Sequence, residues 1–345
     1  MLCTNNKFSV ENISAYVMEE LNFRCNSETA AVITSIAYSI IIFVGLVGNV
    51  CTCIVIWNNQ CMHTQTNIYL ASLAVTDLLL LFIGLPLEVV KAYQPFTFGE
   101  LVCTWRMYLV RSNSVASIFL ISALTVERWL AVKFPFRYRP NAEVKQTIRI
   151  VVALWSASLI LPVPVLCAYQ VERVPLPIWG INQTWTRRVS DDGVTIKKTE
   201  FCDWDDDGKY FEYHCVLISK MYCDIAKEVG SSDLPVCYYK SDVRAKTSKN
   251  VFKMLVLVAV CFFVTWLPFH VQRLLLLIIK YHEGKSIPSI RLLHSIFYKL
   301  SECFYVNCAT NPFLYNMFSR RFRKNFLSTI IGSRLAKRIR PEYYK

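Results

Sequence analysis

The stretch Ala30-Ala31-Val32-Ile33-Thr34-Ser35-Ile36-Ala37-Tyr38-Ser39-Ile40-Ile41-Ile42-Phe43-Val44-Gly45-Leu46-Val47-Gly48-Asn49-Val50-Cys51-Thr52-Cys53-Ile54-Val55-Ile56-Trp57-Asn58-Asn59-Gln60 contains no charged side chain. About 20 predominantly apolar residues cross the hydrocarbon core of a bilayer. A buried helix of a water-soluble domain keeps a polar face over such a length, and this stretch has none. It reads as a transmembrane helix. Working outwards, apolar segments recur at 33–57, 67–90, 102–132, 148–169, 251–279 and 292–318, separated by Gly, Pro, Asn and charge clusters. The whole chain is 54% hydrophobic and 18% charged, against about 25% charged in soluble domains. Its 345 residues leave room for a seven-helix bundle with short loops. The expected fold is an all-α membrane protein.

Charge gives the orientation. The net charge of +13 could suggest nucleic acid, but Lys and Arg cluster at 128–149, 240–253 and 320–345, beside apolar spans. That is the positive-inside pattern of cytoplasmic loops, and no nucleic-acid partner is expected. The sequons Asn12-Ile13-Ser14 and Asn182-Gln183-Thr184 mark Asn12 and Asn182 as glycosylation candidates on the opposite side. The first thirty residues carry Glu11, Glu19, Glu20 and Glu28 with no compact apolar core behind a basic start, so the first span is expected to act as its own insertion signal. After the last span, Phe318, Phe322 and Phe326 recur every four residues among Arg320, Arg321, Arg323 and Lys324. That spacing predicts a short amphipathic helix on the inner membrane face. The chain thus divides into an outer segment 1–32, a helix bundle 33–318, and an inner helix and cytoplasmic tail 319–345. Most of the fourteen cysteines lie in or beside apolar runs, where they pack as small apolar residues. None follows Cys308, so no palmitoyl anchor is expected after the inner helix.

Topology and hydropathy conflict at one place. If 128–149 and 240–253 are both cytoplasmic, the chain must cross the membrane between 170 and 240. The best candidate there, 209–229, holds Lys209, Glu212, Lys220, Asp224, Lys227 and Glu228. The terminal charges could snorkel; Glu212, Lys220 and Asp224 could not all do so. Each central charge costs about 2.5–3.5 kcal/mol, so three cost roughly 8–10 kcal/mol. The few Leu, Ile, Val and Phe residues return only about 0.3–0.6 kcal/mol each. Phe211, Cys215, Ile218, Tyr222, Ile225 and Val229 do form a helical stripe, suited to an amphipathic helix against a bundle. The fifth helix is therefore atypical or missing, and 170–250 is atypical as a whole.

Polar residues inside apolar spans are expensive and point to function. Asn49, Asp77, Ser117, Asn307 and Asn311 are such residues. A carboxylate with hydroxyl and amide partners suits either a satisfied structural network or a small cation with water. Glu127-Arg128 ends the third span, as a snorkelling pair or as something that moves. Trp266-Leu267-Pro268-Phe269 and Asn311-Pro312-Phe313-Leu314-Tyr315 place Pro268 and Pro312 mid-span. Proline removes a helical hydrogen bond and makes a hinge. Cys103 and Cys202 lie on the outer side, where a disulfide persists; two free thiols are the alternative.

Together these residues resemble the rhodopsin-like G-protein-coupled receptors, over about 33–169 and 251–326. The resemblance implies a disulfide between Cys103 and Cys202, and a sodium and water site at Asp77, Ser117, Asn307 and Asn311. It implies switch roles for Glu127, Arg128, Trp266, Pro268, Asn311, Pro312 and Tyr315, with Arg128 turning to a heterotrimeric G protein. Apart from that Na+, no cofactor is implied. Gly84-Leu85-Pro86-Leu87-Glu88-Val89, Phe98-Gly99, Val126-Glu127-Arg128-Trp129-Leu130-Ala131-Val132 and Trp266-Leu267-Pro268-Phe269-His270-Val271-Gln272-Arg273 are most similar to the neuromedin U receptors and their ghrelin-receptor relatives. That implies a basic, amidated peptide ligand, with Glu88 facing its Arg and with Arg273, Phe269 and His270 lining the same site. It also implies a plasma-membrane protein that drives calcium release. The plainer reading of Glu88 and Arg273 is that each marks the wet end of its helix. Trp129 replaces the family's Tyr, Thr265 its Cys, and Arg111 an acidic residue.

The competing expectation is a truncated or mispredicted receptor product, lacking a functional fifth helix, that does not signal or that dimerises with an intact receptor. A transporter would show inverted repeats or paired broken helices, and neither is present. No nucleophile–base pair, metal-ligand cluster or phosphate loop points to an enzyme. Asp203, Asp205, Asp206 and Asp207 lack the spacing of a cation-binding loop and read as a solvated acidic turn.

Overall fold

A computed structural model describes residues 28–91, 98–133, 144–167, 169–174, 190–196, 199–204, 242–281, 288–318, 320–330 and 332–339. The charge-free stretch lies within one helix, α1 (Glu28–Asn58). Then follow α2 (Gln65–Ile83), α3 (Leu85–Lys91), α4 (Gly99–Lys133) and α5 (Val144–Ile160). Two short strands, β1 (Tyr169–Glu172) and β2 (Phe201–Trp204), pair antiparallel with Val171 opposite Cys202. The chain continues as α6 (Asp242–Tyr281), α7 (Pro288–Leu300), α8 (Phe304–Phe318), α9 (Arg320–Ile330) and α10 (Ser333–Ile339). Among the described residues, five helical stretches are long and apolar enough to cross a membrane: Thr29–Asn58, Gln65–Val90, Gly99–Glu127, Val144–Cys167 and Leu257–Leu275.

Local chemistry sets the breaks. Thr64 caps α2, its side chain accepting from the Asn67 amide. Pro86 has no amide hydrogen to donate, so the ladder pauses between α2 and α3 and the two form one bent span. Pro162 and Pro164 end α5 and turn it into the short 3-10 helix Val163–Cys167. The apolar segment 292–318, expected as one span, is instead divided. α7 and α8 are joined by a 3-10 turn at Ser301–Cys303, where the Ser301 hydroxyl donates to the Tyr298 carbonyl at 2.6 Å. The outer half also carries Arg291, Lys299 and Glu302, which keep it from being uniformly apolar.

α6 has 40 residues, or roughly 60 Å at 1.5 Å per residue, about twice the hydrocarbon thickness. Its basic first turns, expected as a loop at 240–253, are helical from Asp242 onwards. They extend beyond the core. The candidate fifth span 209–229 lies outside the described residues.

The centre of the bundle is formed by α8, which packs on α1, α2 and α6, while α2 packs on α4 and α4 on α5. Its core includes Leu73, Leu81, Ile118, Leu120, Leu124, Trp266, Tyr305 and Tyr315. Outward-facing apolar residues are just as telling. Phe43, Trp57 and Phe313 are 69%, 82% and 63% exposed. A continuous apolar exterior would aggregate in water, and in a bilayer it is the lipid-facing surface.

α1 and α8 approach closely at Gly48, where a Cβ would stand 2.8 Å from Pro312 Cγ. Below α8, Phe322 is 1% exposed and meets Tyr315 edge-on at 6.2 Å. The helix expected from the Phe spacing is thus α9, docked by its apolar face, with Arg323 Nη1 donating to the Asn316 and Met317 carbonyls at 3.0 and 2.5 Å.

Candidate functional site: an outer aromatic and ionic cluster above a buried polar network

The disulfide Cys103–Cys202 joins β2 to the outer end of α4, with the Cα atoms 5.6 Å apart. Thr104 Oγ1 reinforces the join by donating to the Tyr169 carbonyl at 3.2 Å. Tyr108 donates to the Leu159 carbonyl at 2.8 Å, fixing α4 to α5. These contacts hold the outer rim in place.

Within that rim, Glu88 and Arg106 form a salt bridge, both 8% exposed. Arg106 also donates to the Gly84 carbonyl at 3.5 Å and lies beside Tyr305. Glu88 is therefore no open anion in this structure; a cation of the protein itself is on it. Arg106 escaped the sequence reading, although an Arg within an apolar span is the same signal that singled out Asp77. What sequence could not give is the pairing, because Glu88 and Arg106 belong to different helices.

Phe269 is the hub of the remaining cluster. The guanidinium carbons of Arg111 and Arg273 lie over its ring, 4.6 and 5.3 Å from the centroid. His270 meets it edge-on at 5.4 Å. Such cation–π contacts contribute about 0.5–2 kcal/mol when desolvated. Beneath, Trp266 is 2% exposed. It stacks on Phe304 at 4.6 Å and contacts Phe262 at 5.6 Å and Phe269 at 5.8 Å. Gln272 and His294 approach to 3.1 Å and link α6 to α7. Arg273 and His270 thus come together around Phe269, with Arg111 added to them.

A polar network fills the inner half. Asn311 donates to Asp77 Oδ2 at 2.9 Å, and the Cys308 thiol lies beside the same carboxylate. Ser117 donates to Thr76 Oγ1 at 3.2 Å, reaching the residue next to Asp77. Asn113 donates to the Thr76 carbonyl at 2.6 Å. Asn49 holds α1 to α8 through the Cys308 carbonyl at 2.7 Å. Trp155 donates to Ser72 at 2.8 Å, joining α5 to α2. Asn307 is buried on the same helix as Asn311, and among the described residues no hydrogen bond joins its side chain to Asp77. The Oδ1 atoms of Asn307 and Asn311 and the Tyr315 hydroxyl are buried with no hydrogen-bond partner among the described residues.

Pro268 and Pro312 sit inside α6 and α8, one on the outer cluster and one beside the polar network. Glu127 is half-buried at the inner end of α4. The side chain of Arg128, and the sequon residues Asn12 and Asn182, lie outside the described residues.

Comparison with known proteins agrees with this arrangement. Residues 48–315 match the family described as 7 transmembrane receptor (rhodopsin family). The chain is 36% identical to the neuromedin U receptor homolog nmur-2 of Caenorhabditis elegans, over 96% of this chain and 87% of that protein. It is 30% identical to neuromedin-U receptor 2 of Rattus norvegicus, over 86% of this chain and 74% of the relative. It is 28% identical to the pyrokinin-1 receptor of Drosophila melanogaster, over 88% and 80%. The matched family is one of receptors and not of enzymes. A multi-pass apolar bundle, a disulfide-pinned outer rim and a family match over most of its length lead to one conclusion: the chain belongs to the rhodopsin family of seven-transmembrane receptors and is similar to the neuromedin U receptors.

Proposed function

We propose that this receptor lies in the plasma membrane with its N-terminus outside and its C-terminus in the cytoplasm. It binds a peptide at the outer cluster and activates a heterotrimeric G protein of the class that releases calcium. The printed names of its relatives support a neuropeptide ligand. In this reading 1–32 is extracellular, 33–318 is the bundle and 319–345 is the inner helix and tail.

The observation that carries the proposal is the continuity of α6 and α8. Phe269 and Trp266 stand on α6, where Pro268 interrupts the hydrogen-bond ladder. Trp266 stacks on Phe304 of α8, and the same helix carries Asn311, Pro312 and Tyr315 towards the inner face. A ligand that displaces the aromatic stack therefore bears on two hinged helices at once.

A basic, amidated peptide end would meet Glu88 by exchanging its own guanidinium for that of Arg106, with Arg273, Phe269 and His270 alongside. The exchange keeps the buried carboxylate paired, and the displaced Arg106 guanidinium must in turn find an acceptor on the ligand or in water, because a buried charge left alone costs about 3–5 kcal/mol. Asp77, Ser117 and the Oδ1 atoms of Asn307 and Asn311, which have no hydrogen-bond partner among the described residues, would supply an all-oxygen donor set of the kind that suits Na+. Bound there, Na+ would neutralise the Asp77 carboxylate and hold α2, α4 and α8 in the resting arrangement. Glu127 and Arg128 would form the inner lock, with Tyr315 swinging inwards on activation.

The test is calcium release in cells displaying an N-terminally tagged copy, challenged with amidated basic neuropeptides. A saturable response, abolished by Arg128→Ala with peptide binding retained, is the expected result. Surface display without a response to any peptide would refute the signalling role.

A further inference from the structure

Among the described residues the outer cluster carries more positive than negative charge, and its most enclosed cation stands over an aromatic ring. Arg111 is 4% exposed. Among the described residues it forms no ion pair, and its contact is with the Phe269 ring at 4.6 Å. Arg273 lies over the same ring at 5.3 Å. The two guanidinium carbons are hence no more than about 10 Å apart, within the range over which like charges repel in a shielded site. His270 faces both of them. Glu88 of the same rim is held by Arg106. Glu302, on the turn before α8, lies beside Tyr305 instead.

Burying a cation is costly unless an anion or strong acceptors meet it. A ring face returns part of that cost and no more. Arginine presents a planar fork of donors matched to a carboxylate. His270 and Arg273 are half-buried, so the cluster is less enclosed on their flank than at Arg111. An anion arriving there reaches a field set by two arginines.

We propose that the ligand of this receptor presents a carboxylate to Arg111, and that Arg111 with Arg273 makes the outer cluster selective for an acidic group beside an aromatic contact at Phe269. This rests on the reading of the cluster as the ligand site. Because the ligand end proposed above is amidated, the carboxylate belongs to an acidic side chain of the peptide. The ligand is then zwitterionic, with a cation for Glu88 and an anion for Arg111.

Binding to the purified full-length receptor in lipid nanodiscs tests this with two probe pairs, each differing by one charge. N-acetylglutamate α-amide against N-acetylglutamine α-amide reports a side-chain carboxylate. N-acetylphenylalanine against its amide reports a terminal one. The acid of the first pair is expected to bind roughly tenfold to a hundredfold more tightly than its amide, the range of a charge-assisted hydrogen bond. Arg111→Lys should keep the preference and Arg111→Gln should remove it, each checked for an unchanged melting temperature. A preference in the second pair alone supports the anion site and moves the carboxylate to a free peptide terminus. Equal binding of acid and amide, no binding of either, or a preference that survives Arg111→Gln would overturn the proposal. The receptor reading fails separately: acid preference without a calcium response to any peptide removes the peptide role and leaves the anion site. A peptide response with acids and amides bound equally does the reverse.

Discussion

Replacing Glu88 with Gln, Arg106 with Gln, and then both together, separates what this ion pair does for the fold from what it does for the ligand. Both side chains are 8% exposed, and they join α3 to α4 at the outer end of the bundle. Removing one partner of a buried pair leaves the other charge desolvated, at about 3–5 kcal/mol. Removing both leaves two neutral amides, which can meet each other or water. At about 2 °C per kcal/mol for a chain of this size, each single variant should melt roughly 6–10 °C below the parent. The double variant should lose no more than either single, giving a coupling of at least about 3 kcal/mol, at the upper end of contact pairs. The assay is thermal melting of purified receptor in one detergent, read by intrinsic Trp fluorescence. Additive losses, with a coupling under about 0.5 kcal/mol, would refute the argument and mean that water screens the pair. The same Glu88→Gln variant should also weaken a basic peptide more than its neutral analogue; equal weakening would make Glu88 purely structural.

Three further outcomes follow from the geometry. Gly48→Ala would drive a Cβ to 2.8 Å from Pro312 Cγ, in a ring that cannot rotate away. It should lower stability by about 1–3 kcal/mol, as overpacking does. Gly45→Ala clashes with the movable Leu81 Cδ1 at 2.6 Å, its other neighbours lying at ordinary contact distance, and should lose less in the same melt. Tyr315→Phe removes a hydroxyl with no partner among the described residues, so stability should stay within about 1 kcal/mol of the parent while calcium signalling falls. Equal losses in both would make the hydroxyl structural. Outside the membrane, the Asp192 carboxyl is held below the usual carboxylate range, first by the Thr195 hydroxyl and then by the Val194 amide. A lowered value means that the turn's added stability is present above the ordinary carboxylate range and is lost as pH falls through the folded-state value. Thr195→Ala should move the Asp192 titration upwards, measured by carboxyl chemical shift; an unmoved titration would remove Thr195 as its cause.

The amino-acid sequence by itself determined that this chain lives in a bilayer, because hydropathy is local and additive: Ala30 to Gln60 needs no partner to be insoluble in water. It also set where the helical hydrogen-bond ladders are interrupted, since Pro268 and Pro312 remove helical hydrogen bonds wherever they occur. The Phe318, Phe322 and Phe326 spacing likewise specified an amphipathic helix, found as α9 with Phe322 and Phe326 on it, while Phe318 closes α8. The conflict at 209–229 was legible for the same reason, as three central charges oppose insertion whatever surrounds them. Only the tertiary structure decided which charges meet. Glu88 pairs with Arg106, Asp77 accepts from Asn311, and Arg111 comes to the Phe269 ring because α4 and α6 approach there. It also decided that 292–318 is two helices with a 3-10 turn between them. Pairing energies depend on distance and shielding across helices far apart in the chain, and no local pattern of residues encodes either.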